Sequence, residues 1–528
     1  MLRTLIKEAL SCIDQVYEII PKDVLKKHSL ISLKLALTYI HFSDGIEKLN
    51  SAKNRLKFDE HFFLQLLLAL KKKSIRLSKS KRLIDIGPYF RPISETLDFE
   101  LTRSQKNVIQ DIHADFRNDY PMNRLIQGDV GSGKTIVAIL VTALAVGNNV
   151  QVAIMVPTEV LARQHYDSFK LQLDKANIRC ELILGNMKKN ERSNILAGLE
   201  DGSISVVIGT HALIQKDVFF NNLGLVVIDE QHRFGVNQRA NLIDKGKSPH
   251  CLAMTATPIP RTLSITYYGD MDISIIDELP LNRIPVVTRV VEPDRLSKVY
   301  DFIRTEVSSG RQVIVVYPLV EESEKLDLAA AVEAYKELSK IQFNGLELGL
   351  LHGKMKSIEK KNMLNKFERN EISILVSTTV IEVGIDIPNA TVMLIDHAER
   401  FGLSQLHQLR GRVGRGSKRS YCILVRRKTT ETSRDRLAIM EKTSDGFKIA
   451  DEDLNLRGPG EFIGERQSGF LSYKIANMIT DGPIISDARA AAFSIIEKDP
   501  SLENSVNEPM KRWFMSHYSN YLEKINLS

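Results

Sequence analysis

The segment GDVGSGKT (128–135) constrains this chain more than any other stretch. It follows an apolar run, NRLIQ (123–127), and precedes a helical one, IVAILVTALAV (136–146). A strand, a glycine-rich loop and a helix in that order make a phosphate cradle. Glycines let successive backbone N–H groups curl around the phosphates, and the helix N-terminus adds its positive dipole end. In this context Gly128, Gly131 and Gly133 shape the loop, Lys134 reaches the β- and γ-phosphates of a nucleoside triphosphate, and the Thr135 hydroxyl holds Mg²⁺.

The surrounding pattern suits such a loop. From Asn123, the short runs NRLIQ, QVAIMVP, ELILG, SVVIGT, GLVVIDE and CLAMTAT alternate with helical stretches. After residues 280–285 the rhythm restarts with RQVIVVYP, LELGLLHG, ISILVSTT, ATVMLIDHA and SYCILV. Strands that are apolar on both faces belong to parallel sheets covered by helices, so the fold class is α/β with two blocks in tandem. Residues 1–95 read as helical, because LISLKLALTYIHF and RLKFDEHFFLQLLLALKKK carry apolar residues at helical spacing. Gly-Pro and Arg-Pro steps between Asp85 and Pro92 mark the end of that segment. The expected parts are a helical segment 1–95, α/β blocks 96–280 and 281–427, and a helical region 428–528 interrupted by LRGPGE.

The net charge of +7 over 528 residues suits a polyanionic partner. Cys12, Cys180, Cys251 and Cys422 lie far apart with no CxxC pair, which argues against a disulfide framework or a zinc site and for a reducing compartment. No stretch is long and apolar enough to span a bilayer, the closest, 62–70, being too short and followed by three lysines, and MLRTLIKEALSCIDQVYEII reads as an amphipathic helix rather than a secretory signal. A cytoplasmic protein without a membrane partner is expected.

Two further motifs bear on the chemistry. LVVIDEQH (225–232) ends an apolar strand in Asp229, placed to organise Mg²⁺, and Glu230, placed to polarise an attacking water. QLRGRVGRG (408–416), in the second block, supplies Arg412 and Arg415. An arginine brought to the γ-phosphate from outside the phosphate loop accelerates hydrolysis by roughly 10³ to 10⁵. A site divided in this way closes only when the blocks approach, so nucleotide binding and release become relative motion. The scheme requires Lys134 and Arg415 to face one phosphate.

In order, these landmarks resemble the superfamily 2 helicases and, within them, the RecG family of bacterial branch-migration helicases. The resemblance runs from the N-terminal helices to about Gly469. It rests on DEQHRFGVNQR (229–239), MTATPIPRTL (254–263), IDELPLNRIPV (276–286) and ERFGLSQLHQLRGRVGRG (399–416). The transcription-repair coupling factor is similar but typically has Glu where Gln231 stands, and Gln231 with the DELP stretch favours RecG. The resemblance implies two tandem RecA-like P-loop NTPase domains with an N-terminal helical segment and a C-terminal helical translocation region. It further implies ATP and Mg²⁺ as cofactors, and a monomeric ATP-dependent DNA helicase or translocase acting on branched duplex DNA in recombination and repair.

Residue roles follow from the same resemblance. Gln105 would read the adenine edge, Phe99 would stack on the ring and Asp386 would touch the ribose. Thr158 in PTEVLARQH, Thr210 in GTHALIQ and Thr379 in TTVIEVGIDIP would line the nucleic-acid track. Thr257 and Arg261, with Thr255, would couple hydrolysis to DNA contact. SDGFKIADEDLNLRGPGEFIGERQSG (444–469) resembles the helical hairpin and loop that move duplex DNA, with Arg457 and Gln467 gripping the backbone.

Family members carry a wedge domain with an oligonucleotide-binding barrel ahead of these helices. No block of short alternating strands precedes the phosphate loop here, so the strand-separating part is expected to be missing. Three alternatives therefore stand beside the helicase. They are a DNA-stimulated ATPase without junction unwinding, a non-catalytic remnant that binds DNA or a protein, and an RNA helicase, since a phosphate grip does not separate RNA from DNA. The presence of Lys134, Asp229, Glu230, Arg412 and Arg415 speaks against the remnant, and segment 444–469 favours duplex DNA.

Overall fold

A computed structural model describes residues 2–258, 260, 263–264, 268–280, 284–318, 324–378, 387–416, 418–428, 430–457 and 473–526. The chain forms two compact units, one from Met1–Lys79, Pro260–Asp272 and Arg457–Ser528, the other from Ser80–Ile259 and Ile273–Leu456.

The larger unit holds both α/β blocks. Its first sheet comprises β1 (Asn123–Gly128), β2 (Gln151–Met155), β3 (Cys180–Ile183), β4 (Val206–Gly209), β5 (Leu223–Asp229), β6 (His250–Thr255) and β7 (Asp272–Ile276), in the order β3-β4-β2-β5-β6-β1-β7. The second comprises β8 (Val287–Val291), β9 (Gln312–Val316), β10 (Leu348–Leu351), β11 (Ile374–Ser377), β12 (Ala390–Ile395) and β13 (Tyr421–Val425), in the order β10-β11-β9-β12-β13-β8. Pairing is parallel from β3 through β1 in the first sheet and throughout the second.

The period-2 alternation of strand side chains explains why these runs are apolar on both faces. Val152, Ile154, Leu225 and Val227 enter the core on one side of the first sheet, while Ala153, Met155, Val226 and Ile228 enter the core on the other. In the second sheet Ile314 and Val316 face one core, Val313 and Val315 the other. The edge strands β7 (DISII) and β8 (VTRVV) are absent from the sequence-based expectation, because Asp272, Ser274 and Arg289 break their apolar runs.

Two expected boundaries need correction. Residues 80–95 belong with the first block rather than with an N-terminal segment ending at 95. Leu83 and Ile93 are fully buried in its core, and the helix Phe90–Glu95 packs on the helix Lys134–Gly147. Gly87, at φ +70°, sits so close to Gly147 that a Cβ would lie 2.9 Å from its Cα. The Gly-Pro step is thus a packing contact and not a linker. Residues 428–528 likewise do not form one region. Leu437, Met440 and Ile449 fill the core of the second sheet, whereas the chain from Arg457 onward joins the smaller unit.

That smaller unit is built on the helix Ile46–Leu77, whose Phe58, Phe62, Phe63 and Leu66 pack against Ala488, Ala492 and Ile496 of Gly482–Lys498 and Met510 and Phe514 of Glu508–Asn526. The apolar run 62–70 is therefore bundle core. Among the described residues no helix is long and apolar enough to cross a membrane.

Candidate active site

β1 delivers the chain to Gly128, and the loop turns through Gly131 (φ +78°) and Gly133 (φ +86°), left-handed conformations that glycine adopts without steric cost. A Cβ on Gly133 would lie 2.3 Å from Gln105 Nε2. Lys134 opens the next helix, and its Nζ donates to the carbonyls of Gly128 at 2.8 Å and Asp129 at 2.9 Å. Burial depresses the Lys134 pKa, while the charges of Glu230, Asp229 and Asp129 pull the other way.

β5 ends in Asp229, whose Oδ2 lies 2.9 Å from His165 Nε2. His165 comes from the helix Glu159–Leu173, whose N-terminus is capped by the Thr158 hydroxyl accepting the Leu161 N–H at 3.3 Å. Burial pushes the Asp229 carboxyl up, but the His165 hydrogen bond and the Lys134 charge outweigh it and hold the group below its ordinary range. Glu230 moves the opposite way, raised by burial and by the charge of Asp229. It sits at φ +50°, a strained backbone for a non-glycine residue, and its Oε2 accepts the Ala256 N–H at 3.4 Å. Burial also pushes His232 down to about 4.

The second sheet contributes the helix Leu403–Arg410 and the turn after it. Arg412 and Arg415 line the same cleft, about 400 Å³, as Gly131, Gly133, Lys134, Thr135, Asp229 and Glu230. The juxtaposition of Lys134 with Arg415 required by the divided site is thus present. The blocks also meet at and beside the rim of the cleft. Gln408 Nε2 donates to Thr257 Oγ1 at 2.7 Å, and a Cβ on Gly411 would lie 2.5 Å from Val130 Cγ1. His407 is hydrogen-bonded to Asp129, and Asp129 Oδ2 accepts the Gly446 N–H at 3.1 Å. Burial would raise the Asp129 carboxyl, but these bonds, with the Val130 N–H, hold it below its ordinary range.

Other expected residues lie apart from the cleft. Gln105 is almost wholly buried, with Oε1 accepting the Thr102 N–H at 2.9 Å and Nε2 donating to the Ser132 carbonyl at 2.8 Å. It clasps the phosphate loop, and adenine contact would require exchange of these bonds. Phe99 is exposed and does not border the cleft. Thr210 is buried and its hydroxyl lacks a hydrogen-bond partner. Arg261, Thr379, Asp386 and Gln467 lie outside the described residues, and of Arg457 only the backbone, closing the helix Gly446–Arg457, is described.

The sequence-based site omits His165, His407 and Asp129. An acid inside a phosphate-binding loop is a signal in its own right, because it repels the ligand unless other groups engage it. Among the described residues no three or more His, Cys, Asp or Glu side chains form a group that could hold a metal ion. Thr135 and Asp229 offer two hard oxygen donors beside the phosphate loop, a set that fits Mg²⁺ completed by phosphate oxygens and water.

Comparison with known proteins gives three family matches: DEAD/DEAH box helicase over residues 102–265, helicase conserved C-terminal domain over 294–417, and ATP-dependent DNA helicase RecG, domain 3, C-terminal over 443–517. The ATP-dependent DNA helicase RecG of Synechocystis sp. is 48% identical over 503 residues, 95% of this chain and 60% of that protein. That of Streptococcus pneumoniae is 45% identical over 503 residues, 95% of this chain and 74% of that protein. A solved structure of RecG bound to a three-way DNA junction superposes with a TM-score of 0.73 at 42% identity, covering 92% of this chain and 64% of that one. This chain therefore spans 60% to 74% of the length of these proteins.

Proposed function

Because the chain belongs to the RecG family of ATP-dependent DNA helicases, we propose that it is an ATP-hydrolysing motor that moves on duplex DNA and remodels branched DNA, such as Holliday junctions and stalled forks. The observation that carries this reading is the shared cleft, with Lys134, Asp229 and Glu230 from one sheet and Arg412 and Arg415 from the other.

In the proposed reaction, the amides of the loop hold the phosphates and Lys134 exchanges the Gly128 and Asp129 carbonyls for phosphate oxygens. Thr135 and Asp229 would hold Mg²⁺, which when bound neutralises phosphate charge. A water oxygen attacks the γ-phosphorus while Glu230, whose raised pKa makes it the better proton acceptor of the acid pair, takes the water's proton. The bond from that phosphorus to the β–γ bridging oxygen breaks, and the electron pair leaves with ADP. Arg412 and Arg415 stabilise the charge spread over the transferring group, and their presence at the cleft requires the blocks to be closed.

Gln105, Phe99 and Asp386 are proposed around the base and ribose. Thr158, Thr210, Thr257, Arg261, Thr379, Arg457 and Gln467 are proposed along the DNA. Since the Thr158 hydroxyl caps a helix and Thr210 is buried, those two would act through backbone amides. A cytoplasmic monomer is part of the same proposal.

The test measures ATP turnover and junction unwinding side by side, with and without branched DNA, using Lys134→Ala as the control. DNA-stimulated turnover that the variant loses is expected. Turnover indifferent to DNA would remove the motor, and stimulated turnover without unwinding would leave a translocating ATPase.

A further inference from the structure

Asp129 lies in the phosphate loop, yet its carboxylate is committed elsewhere. Oδ1 accepts the Val130 N–H at 2.6 Å and is hydrogen-bonded to His407, while Oδ2 accepts the N–H of Gly446, the first residue of the helix Gly446–Arg457. The arginine-bearing turn follows His407 in the chain. Arg410 donates to His407 Nδ1 at 2.8 Å, so the imidazole carries its proton on Nε2 and donates it to Asp129. The same guanidinium donates to the carbonyls of Met440 at 3.0 Å, Thr443 at 2.9 Å and Ser444 at 3.2 Å. Hydrogen bonds therefore run without a break from the phosphate loop, through the helix before Arg412, to the chain that opens the helix at 446.

Packing at this point leaves no slack. A Cβ on Gly446 would lie 2.6 Å from His407 Nε2, 2.7 Å from Pro258 Cγ and 3.0 Å from Asp129 Cγ. Gly446 thus touches the phosphate loop, the turn after β6 and the helix before the arginines at once. Close-packed groups transmit displacement because they have no void to absorb it.

We propose that Asp129, His407 and Gly446 form a coupling joint, in which Asp129 and His407 are positioning residues that deliver the phosphate loop's response to nucleotide to the helix Gly446–Arg457. The inference rests on the motor reading above. Lys134 Nζ donates to the carbonyl of Asp129 itself. When ATP draws the ammonium to its phosphates that bond is given up, the Asp129 peptide is released, and its side chain carries the shift to residue 446. The helix beyond, 12 residues long, acts as a lever of about 18 Å.

The experiment follows ATP turnover on DNA together with displacement of a third strand from a duplex, in the full chain and in His407→Ala, His407→Gln and Gly446→Ala. In both alanine variants, strand displaced per ATP hydrolysed at saturating ATP is expected to fall about tenfold or more. His407→Gln, which retains a donor for Asp129, is expected to recover part of the loss. Unchanged displacement per ATP in both alanine variants would overturn the joint, as would basal turnover falling in step with displacement. A wild-type chain whose turnover ignores DNA would overturn the motor reading and this inference with it. A wild-type motor whose variants stay coupled would overturn this inference alone.

Discussion

Asp59→Asn is expected to stabilise the smaller unit by an amount that grows as pH rises from mild acid to above neutral. Arg55, wholly buried, donates to Asp59 at 2.8 Å and to Glu18 at 2.5 and 3.2 Å, so one cation serves two carboxylates. Glu18 is pulled up by its burial but held down by Arg55, which leaves Asp59 as the surplus anion. Burial pushes Asp59 from 3.8 up to about 7, with Arg55 opposing the rise and Glu18 adding to it. Between those values the folded chain keeps a proton that the unfolded chain has released, so stability falls as pH rises through this window and levels off above it. At about 1.4 kcal/mol per unit, the loss between pH 5 and pH 8 is roughly 3 kcal/mol. Burial lowers the pKa of His61, which makes stability rise with pH, but that contribution cancels in the difference between wild type and variant. An asparagine oxygen can still accept from Arg55. Trp513, the single tryptophan, packs on Phe63 with ring centroids 4.1 Å apart, so its fluorescence during urea unfolding reports on this unit. The variant should gain about 3 kcal/mol over wild type on going from pH 5 to pH 8. A difference between the two proteins that is the same at both pH values, or of opposite sign, would refute the surplus-anion argument.

Three other outcomes are expected. Arg415→Ala should lower turnover at saturating ATP by about 10³ or more while nucleotide binding, followed by a fluorescent ATP analogue, is retained. Near-normal turnover would remove Arg415 from the γ-phosphate. His165→Ala should raise the Mg²⁺ concentration for half-maximal turnover about tenfold, because the Asp229 carboxylate loses the bond that orients it, and His165→Gln should recover part. An unchanged Mg²⁺ dependence would contradict this role. Gly87→Ala should cost about 1–3 kcal/mol, since it forces a side chain into a left-handed conformation against Gly147. A wild-type urea midpoint by far-ultraviolet circular dichroism would show that this contact yields freely.

The elements legible in the sequence share a physical property, in that their information is local. Each of the eleven apolar runs named in the sequence coincides with a strand, because a strand covered on both faces must be apolar at nearly every position. β7 and β8 carry Asp272, Ser274 and Arg289 within their runs and give no such signal, whereas β3 and β10, which also lie at sheet edges, kept theirs. Lys134, Asp229 and the arginines were accessible because glycine spacing and strand ends mark them. His165 and His407 were not, and Asp129 was marked only as an acid in a phosphate loop without its partner, because these contacts join residues 278 positions apart in one case and 64 in the other.

By itself the sequence determined two parallel sheets, a phosphate loop where β1 meets its helix, and the residue types for hydrolysis. It left open which apolar helix face covers which. The faces of Ile46–Leu77 and Glu508–Asn526 each require burial, but apolar surface is attracted to any other, and only the close packing of Phe63 with Phe514 and Trp513 selects the pair. The tertiary structure likewise decided that Gln105 clasps the phosphate loop, that residues 80–95 belong to the first block, and that Asp129 reaches Gly446. Directional bonds between groups remote in sequence form only once the sheets have brought them within hydrogen-bond reach, and no local pattern encodes that distance.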